Sequence, residues 1–573
     1  MEKVWEIKER RHKDIVKQLL ENRGVLDFES FLEPDFDKDL LDPKKLPDFE
    51  VAAKRIVEAK KKGEKVGIFA DYDADGIPGA AFFKKTLDQI GIESEVYIPS
   101  RAEGYGLKEG GIDFLISKGC TLIVSIDLGI RDVEVADHCK RKDIDLIITD
   151  HHEPGEKKPD AFAVINPKLK GSKYRFDGLS GAGVIFKFVC GLKKYFPKIN
   201  EKFLKWNLDL IAISTISDVV PLTHENRVIA KFGLMVLRKT KNIGLIELYK
   251  VAEIDPKTIE AHTVGFQIGP RINAPGRIDH ATKSYQLLTS DDAQEAKELA
   301  LWLNEKNEER QTMMDSVVKE AEAKIKKSNL DKNKIIVVFG QWQKGVLGPS
   351  ASKIVEKYAR PTILFSHGEK YLTGSARSVE GVDILQVLEG AASTIKNFGG
   401  HKGAAGVTID AKKKDQFVKN IYKSAEVNIN DKDLVKKIKV DVAIDFHEIS
   451  MRLYDTIENL MPFGMGNPKP VFTTSGAEIV DHRKVGRDEK HLSLKMKEAG
   501  REIGGICFGF EDCSTVKYDN IKYDIAYQII EDNWSGSREL KLQILDIKET
   551  NRHPTSLKLR GAGKSSPQIN TNE

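Results

Sequence analysis

Short apolar runs at 66–70, 94–99, 121–126 and 144–149 alternate with segments at 78–90, 110–118 and 133–141 whose apolar residues recur at helical spacing. Runs of that length, bounded by charged or turn residues, read as buried strands, and their alternation with helices predicts βαβ units and a parallel sheet. Residues 1–62 have another texture. Trp5, Val16, Leu19 and Leu20 mark one apolar face, and Pro34, Pro43 and Pro47 punctuate it, so a helical segment with a loop is expected. An apolar stretch at 208–216 reads as a further helix.

The segment 289–327 lacks Gly and Pro and carries Leu299, Leu303, Met313, Val317 and Ala321 on a charged background. Asp291 and Asp292 suit a helix N-terminus. Such a helix would span ~57 Å, enough to bridge two domains. The competing coiled-coil reading meets heptads broken at Lys306 and Arg310. Runs at 335–339 and 362–365 then predict strands flanking a helix in a second α/β domain, and the glycine-rich stretches 374–378 and 398–406 read as phosphate-approaching loops. Beyond Val440 the period becomes two. The stretches 470–480, 491–496, 523–530 and 540–544 predict a small β-barrel, plausible as an OB-fold that holds single strands. The polar residues after about 551 are expected to form a disordered tail.

With 573 residues, the chain has room for roughly three or four domains. A formal net charge of +4 argues only weakly for a polyanionic partner. Cys120, Cys139, Cys190, Cys507 and Cys513 are odd in number and show no C-x-x-C spacing, which suits a reducing cytoplasm and excludes a zinc knuckle. The charged N-terminus lacks an apolar leader, and no run reaches membrane-spanning length. A soluble cytoplasmic protein with no membrane partner is expected.

The candidate chemistry lies at the ends of the apolar runs. Asp71, Asp73 and Asp75, followed by Gly76, succeed the first strand; Asp127 succeeds the third; Asp150-His151-His152 succeed the fourth; and Asp218 ends the helix at 208–216. Ligands collect at the carboxyl ends of parallel strands. Carboxylates on alternate residues repel one another, and a divalent cation removes that cost. A calcium loop would also begin D-x-D-x-D-G, but it needs a Glu at position twelve, where this chain has Phe82. Carboxylates with one or two imidazoles suit Mn2+ or Mg2+, and their number suggests two ions sharing a carboxylate, an arrangement used in phosphoryl hydrolysis. In an extended backbone His151 and His152 would point opposite ways, so one would ligate metal and the other would meet the phosphate.

The motifs Asp71-Tyr72-Asp73-Ala74-Asp75-Gly76, Glu103-Gly104-Tyr105-Gly106, Ser125-Ile126-Asp127, Asp150-His151-His152 and Ser217-Asp218 occur in order. They continue with Gly269-Pro270-Arg271-Ile272-Asn273-Ala274, Gly374-Ser375-Ala376-Arg377, Gly399-Gly400-His401 and Pro462-Phe463-Gly464-Met465-Gly466-Asn467-Pro468. In this combination, from roughly Phe31 to Glu549, the chain resembles the bacterial RecJ single-stranded-DNA exonucleases of the DHH phosphoesterase superfamily. Pro78, Leu128 and Gln343 depart from its usual residues, as does the pair Pro349-Ser350.

The resemblance implies an N-terminal helical segment (1–62), a parallel-sheet DHH catalytic domain (63–288), a connecting helix (289–330), a DHHA1 substrate-binding domain (331–432), an OB-fold nucleic-acid-binding domain (433–550) and the tail (551–573). It implies Asp73, Asp75, Asp127, His151 and Asp218 as ligands of two Mn2+ or Mg2+ ions, with Asp127 bridging, Asp71 a further participant and His152 at the scissile phosphate. Arg101, Arg277, Ser375, Arg377, Gly399, Gly400 and His401 are the implied substrate contacts, some gripping a 5′ phosphate. The expected reaction is stepwise 5′-to-3′ hydrolysis of single-stranded DNA to mononucleotides in recombination and repair, by a monomer working with a helicase and a single-strand-binding protein. Alternatives are an oligoribonuclease or cyclic-dinucleotide phosphodiesterase of the same superfamily, a pyrophosphatase, or a non-catalytic single-strand-binding scaffold.

Overall fold

A computed structural model describes residues 3–486, 489–509, 521–532 and 538–550, which form two compact units. The first holds residues 20–438 together with 457–469; the second holds 5–19, 439–456 and the C-terminal part from 470. The expected tail lies outside the described residues. Among the described residues, no helix is long and apolar enough to cross a membrane.

The first unit is built on a five-stranded, all-parallel sheet. Its strands run in the order Ser94–Tyr97, Lys65–Ala70, Cys120–Ile126, Asp145–Thr149, Ala163–Ile165. The second strand in the chain therefore lies outside the first, and the order reverses between Lys65–Ala70 and Cys120–Ile126. A crevice opens at such a switch point, beyond the carboxyl ends of the strands. Helices cover both faces, which is why the strands read as continuous apolar runs.

The expected helix at 208–216 is present as Leu208–Ser217 and is buried on every side. One buried ion pair ties the helices together. Lys187 and Glu225 meet at 2.8 Å with about 1% exposure each, and Glu225 also accepts from Tyr174 Oη and Leu41 N. Glu225→Ala would strand the Lys187 ammonium in the core. It is expected to cost about 3–5 kcal/mol in urea unfolding.

The long helix is Ala293–Lys327, capped by Asp292 Oδ1 accepting from Glu295 N at 2.7 Å. It starts later than the sequence suggests because 282–289 forms its own helix and the chain breaks at Ser290. It leads into a second five-stranded sheet ordered Ile395–His401, Ala404–Asp410, Tyr371–Arg377, Thr362–Ser366, Ile336–Gly340. Here the expectation of glycine-rich loops fails, since 374–377 and 398–401 lie within antiparallel strands. Gly374 serves packing instead: a Cβ there would sit 2.7 Å from the Phe365 ring. The N-terminal segment also differs, with a strand at Val4–Ile7 preceding its helices.

The second unit contains a closed five-stranded barrel. Phe472–Val485, His491–Glu498, Arg501–Phe508, Glu539–Glu549 and Lys522–Asp532 pair in succession, and the last pairs back to the first. Four of these strands fall on the stretches expected from the sequence, two of them marked by period-two alternation. Arg501–Phe508 was hidden by Gly504 and Gly505, which carry no side chain to mark the alternation.

Candidate metal centre and its arginine rim

Backbone geometry places the acids. After Ala70 the chain turns through 71–75 into the helix Gly76–Ile90, and Asp73 Oδ1 caps that helix by accepting from Asp75 N (2.9 Å) and Gly76 N (3.1 Å). Only glycine allows the turn at 76, because a Cβ there would lie 2.5 Å from Asp71 O. Asp75 reaches the N-terminus of the helix Gly181–Leu192, accepting from Gly181 N and Ala182 N at 2.7 Å each and from Ser214 Oγ at 2.6 Å. Helix N-termini carry partial positive charge, so two of them offset the acid cluster. Asp127 adopts a left-handed backbone, with φ +67°, and a Cβ on Gly181 would collide with its carboxylate at 2.5 Å.

His151 joins these loops. Its Nδ1 hydrogen-bonds to Leu179 O at 2.9 Å, which turns Nε2 toward Asp127 Oδ1 (3.2 Å), Asp75 Oδ2 (3.6 Å) and Asp218 Oδ2 (3.6 Å). His152 does not point away, as an extended backbone would require; the two rings lie 4.4 Å apart, centroid to centroid. The strand stops at Thr149, and Asp150 Oδ1 gathers His151 N, His152 N and His152 Nδ1 at 2.7, 3.0 and 2.8 Å. Both imidazoles therefore face one site. Tyr105 Oη lies 3.0 Å from His152 Nδ1.

Three groups bring potential ligand atoms within 4.8 Å of one another: Asp75, His151 and Asp218; Asp71, Asp73 and Asp127; and Asp127, His151 and His152. Asp127 belongs to two of them. Buried Asp71 Oδ1, Asp127 Oδ1 and His151 Nε2 have no hydrogen-bond partner among the described residues. Buried polar atoms left bare cost free energy unless something else satisfies them. Oxygen and imidazole donors converging in this way suit a pair of hard divalent cations.

The electrostatics agree. Burial, and then the Asp75 carboxylate, raise Asp127 well above the ordinary carboxylate range. Burial and Asp73 raise Asp71. Burial and Asp75 push Asp218 up to about 9. Burial lowers His151. For His152 burial also acts downward, but the bond and charge of Asp150 outweigh it, so this imidazole is raised.

The helix Gly269–Ile278 frames the site from another side. Asn273 Oδ1 accepts from Ala74 N at 2.8 Å, and a Cβ on Gly276 would lie 2.5 Å from Tyr72 O. Arg101 Nε donates to Gly276 O at 2.8 Å, and its guanidinium stacks 4.7 Å over the Tyr72 ring. Arg277 abuts the helix Lys344–Tyr358, its Nη1 reaching Gly345 O at 3.4 Å. Arg377 Nη1 donates to Ser375 Oγ at 3.1 Å. Arg101, Arg277 and Arg377 have no carboxylate partner within 4 Å among the described residues. Burial, then Arg101 and Arg310, bring Arg277 down to about 10. His401 is exposed, and burial of its ring, then Arg377 and His152, lower it. Gly399 and Gly400 lie in the edge strand that ends at His401.

All the sequence-derived candidates thus occur in the first unit, the acids and His151 clustered in overlapping groups and the basic residues along their rim. Sequence reading missed Gly181 and Leu179, and it placed Asp150, Tyr105 and Asn273 in motifs without giving them a role. Asp150 lay beside the two histidines in their own motif, whereas Leu179 contributes only its backbone carbonyl and left no side-chain signal. Two of the departures are accommodated: Pro78 stands in the first turn of its helix, and Leu128 is fully buried.

Comparison with known proteins follows the same division. The DHH family N-terminal domain matches residues 65–215, the DHHA1 domain 331–426 and the RecJ OB domain 440–546. The single-stranded-DNA-specific exonuclease RecJ of Bacillus subtilis is 35% identical over 95% of this chain and 69% of its own length. That of Haemophilus influenzae is 31% identical over 88% and 92%. This chain belongs to the RecJ family. A crystal structure of exonuclease RecJ bound to manganese is 30% identical, with TM-score 0.58, over 66% of this chain and 95% of that one. The RecJ fold recurs with TM-score 0.82 in the Thermus thermophilus protein in complex with Mn2+, which is 24% identical over 96% and 80%.

Proposed function

We propose that this RecJ-family chain is a metal-dependent exonuclease that hydrolyses single-stranded DNA from its 5′ end, releasing mononucleotides in recombination and repair. The observation that carries this reading is the set of bare donor atoms on Asp71, Asp127 and His151, converging at the sheet's switch point beneath a rim of arginines that lack a carboxylate partner among the described residues. Asp75, His151 and Asp218 would hold one cation, Asp73 and Asp71 the other, and Asp127 both. When bound, two Mn2+ or Mg2+ ions supply Lewis-acid activation of water and neutralise charge on the phosphate.

The chain's own groups do the rest. His152, kept protonated and oriented by Asp150, donates to a non-bridging oxygen of the scissile phosphate. Tyr105 fixes the ring. Arg277, Arg377, Arg101, Ser375 and His401, with the strand at Gly399 and Gly400, bind the terminal 5′ phosphate and so set direction. In this division of labour 63–288 is the catalytic domain, 331–432 the substrate grip and 433–550 the nucleic-acid-binding barrel, joined by the 289–330 helix behind an N-terminal segment (1–62). A cytoplasmic location and assistance by a helicase and a single-strand-binding protein complete the reading.

The test uses a long single strand labelled internally and at each end, with Mn2+. Mononucleotides arising from the 5′ end, with duplex spared, are the expected result; cleavage confined to strands a few nucleotides long would favour a short-substrate phosphodiesterase. A second measurement tests the grip. Charge-assisted bonds contribute ~1.5–3 kcal/mol each. Arg277→Ala should therefore raise KM for a 5′-phosphorylated strand by roughly ten- to a hundredfold, with little change for a 5′-hydroxyl strand.

A further inference from the structure

Residues 459–468 follow a stretch of the barrel unit and precede another, yet they pack within the first unit. The attachment is polar and anchored on two buried side chains. Arg227, 2% exposed, has no carboxylate partner among the described residues; it donates to Phe31 O (2.5 Å), Leu460 O (2.9 Å), Asn459 O (3.3 Å) and Met461 O (3.0 Å). Asn467 is equally buried. Its Nδ2 donates to Leu460 O (2.7 Å) and Pro462 O (2.9 Å), which folds the segment back on itself, and its Oδ1 accepts from Arg23 Nε at 2.9 Å.

The folded segment presses on the stretch that follows Asp218. Leu222 N donates to Met465 O at 2.7 Å. A Cβ on Gly464 would lie 2.7 Å from Leu222 Cδ1, and one on Gly466, whose φ is +75°, would lie 3.3 Å from Pro221 Cβ. From Pro221 the connection continues through Asn226, which is wholly buried in the first turn of the helix His224–Leu237. Asn226 Nδ2 donates to Pro221 O (3.0 Å) and to Gly178 O (2.6 Å). Gly178 precedes Leu179, whose carbonyl orients His151. Left-handed backbone at Val219 (φ +58°) and His224 (φ +48°) bounds the stretch, so its conformation depends on outside support.

We propose that the segment 459–468 is a positioning brace for the metal centre, with Asn467 shaping it, Leu222 and Pro221 receiving it, and Asn226 passing its placement to Asp218 and His151. The inference rests on the assignment of those two residues as ligands. Groups that orient ligands typically change metal affinity by ~10–100-fold when lost. A brace should therefore act on affinity rather than on chemistry at saturation.

The experiment measures Mn2+ binding to the full-length protein by EPR of free Mn2+, alongside activity against Mn2+ concentration. Asn467→Ala is expected to weaken Mn2+ binding about tenfold and to shift half-maximal activity to correspondingly higher Mn2+, with kcat at saturating Mn2+ within about twofold of wild type. Met465→Ala, which keeps the backbone bond and removes a half-exposed side chain, should leave affinity unchanged. Should Asn467→Ala not fold, Gly466→Ala serves instead, since strain and contact with Pro221 displace the same stretch. A folded Asn467→Ala or Gly466→Ala protein that binds Mn2+ like wild type overturns the brace, even if its Tm falls. Asp218→Asn tests the underlying assignment separately: unchanged Mn2+ binding there would overturn the ligand set itself.

Discussion

Asp127→Asn should abolish strand hydrolysis and, in the absence of metal, make the protein more stable. The carboxylate is 2% exposed, its Oδ1 accepts no hydrogen bond among the described residues, and burial together with Asp75 holds its pKa far above normal. A buried acceptor left bare costs ~1–3 kcal/mol, and more when charged. Asparagine keeps the shape, tolerates the left-handed backbone at φ +67°, and offers an amide donor to the neighbouring carboxylates. Urea unfolding in EDTA is therefore expected to show a gain of ~1–3 kcal/mol. The same change removes the one carboxylate shared by two metal-ligand groups. If that carboxylate bridges two cations, several kcal/mol of transition-state stabilisation go with it, so kcat should fall ~10³-fold or more. Retained turnover in Asp127→Asn would exclude the bridging role. Lower stability in EDTA would show instead that the carboxylate serves the fold.

The second large effect is a reversal of pH dependence by metal. Asp218 is raised to about 9, and Asp71 and Asp127 are raised as well, chiefly by burial and then by one another's charge. An acid whose folded-state pKa lies above its unfolded value binds its proton more tightly when folded. Its stabilising contribution is complete below the unfolded pKa near 4 and is lost as pH rises through the folded value. Metal-free protein should therefore lose several kcal/mol of stability between about pH 5 and about pH 9, opposite to the trend of salt-bridged carboxylates. Saturating Mn2+ requires the ionised carboxylates, and its binding releases their protons. With Mn2+ the slope should flatten or invert, and apparent Mn2+ affinity should rise with pH across the same window. Denaturation midpoints in EDTA and in Mn2+ at several pH values decide the matter. A metal-free stability that rises with pH would show that the cluster is not a strained acid site.

These effects depend on two kinds of information that the chain carries differently. The strands at 65–70, 120–126 and 145–149 were legible because both faces of a parallel sheet are buried, so each strand must be apolar throughout. Acids directly after such runs were legible as a site for the same reason: charge at the end of a buried strand needs a partner. The RecJ motifs added the rim arginines, whose separation along the chain gives no local hint of their proximity.

The sequence alone therefore determined the βαβ order, four of the barrel strands, the acid cluster and its preference for hard divalent cations, because burial, periodicity and donor chemistry are written residue by residue. Only the tertiary structure decided the rest. It turned His152 toward His151, since Asp150 caps the chain as the strand ends. It made strands of the glycine-rich stretches, since pairing and the Phe365 ring set what fits there. It brought Leu179 O and Gly181 to the acid cluster and seated Met465 O on Leu222 N, because backbone carbonyls, missing side chains and long-range hydrogen bonds leave no periodic trace in the chain.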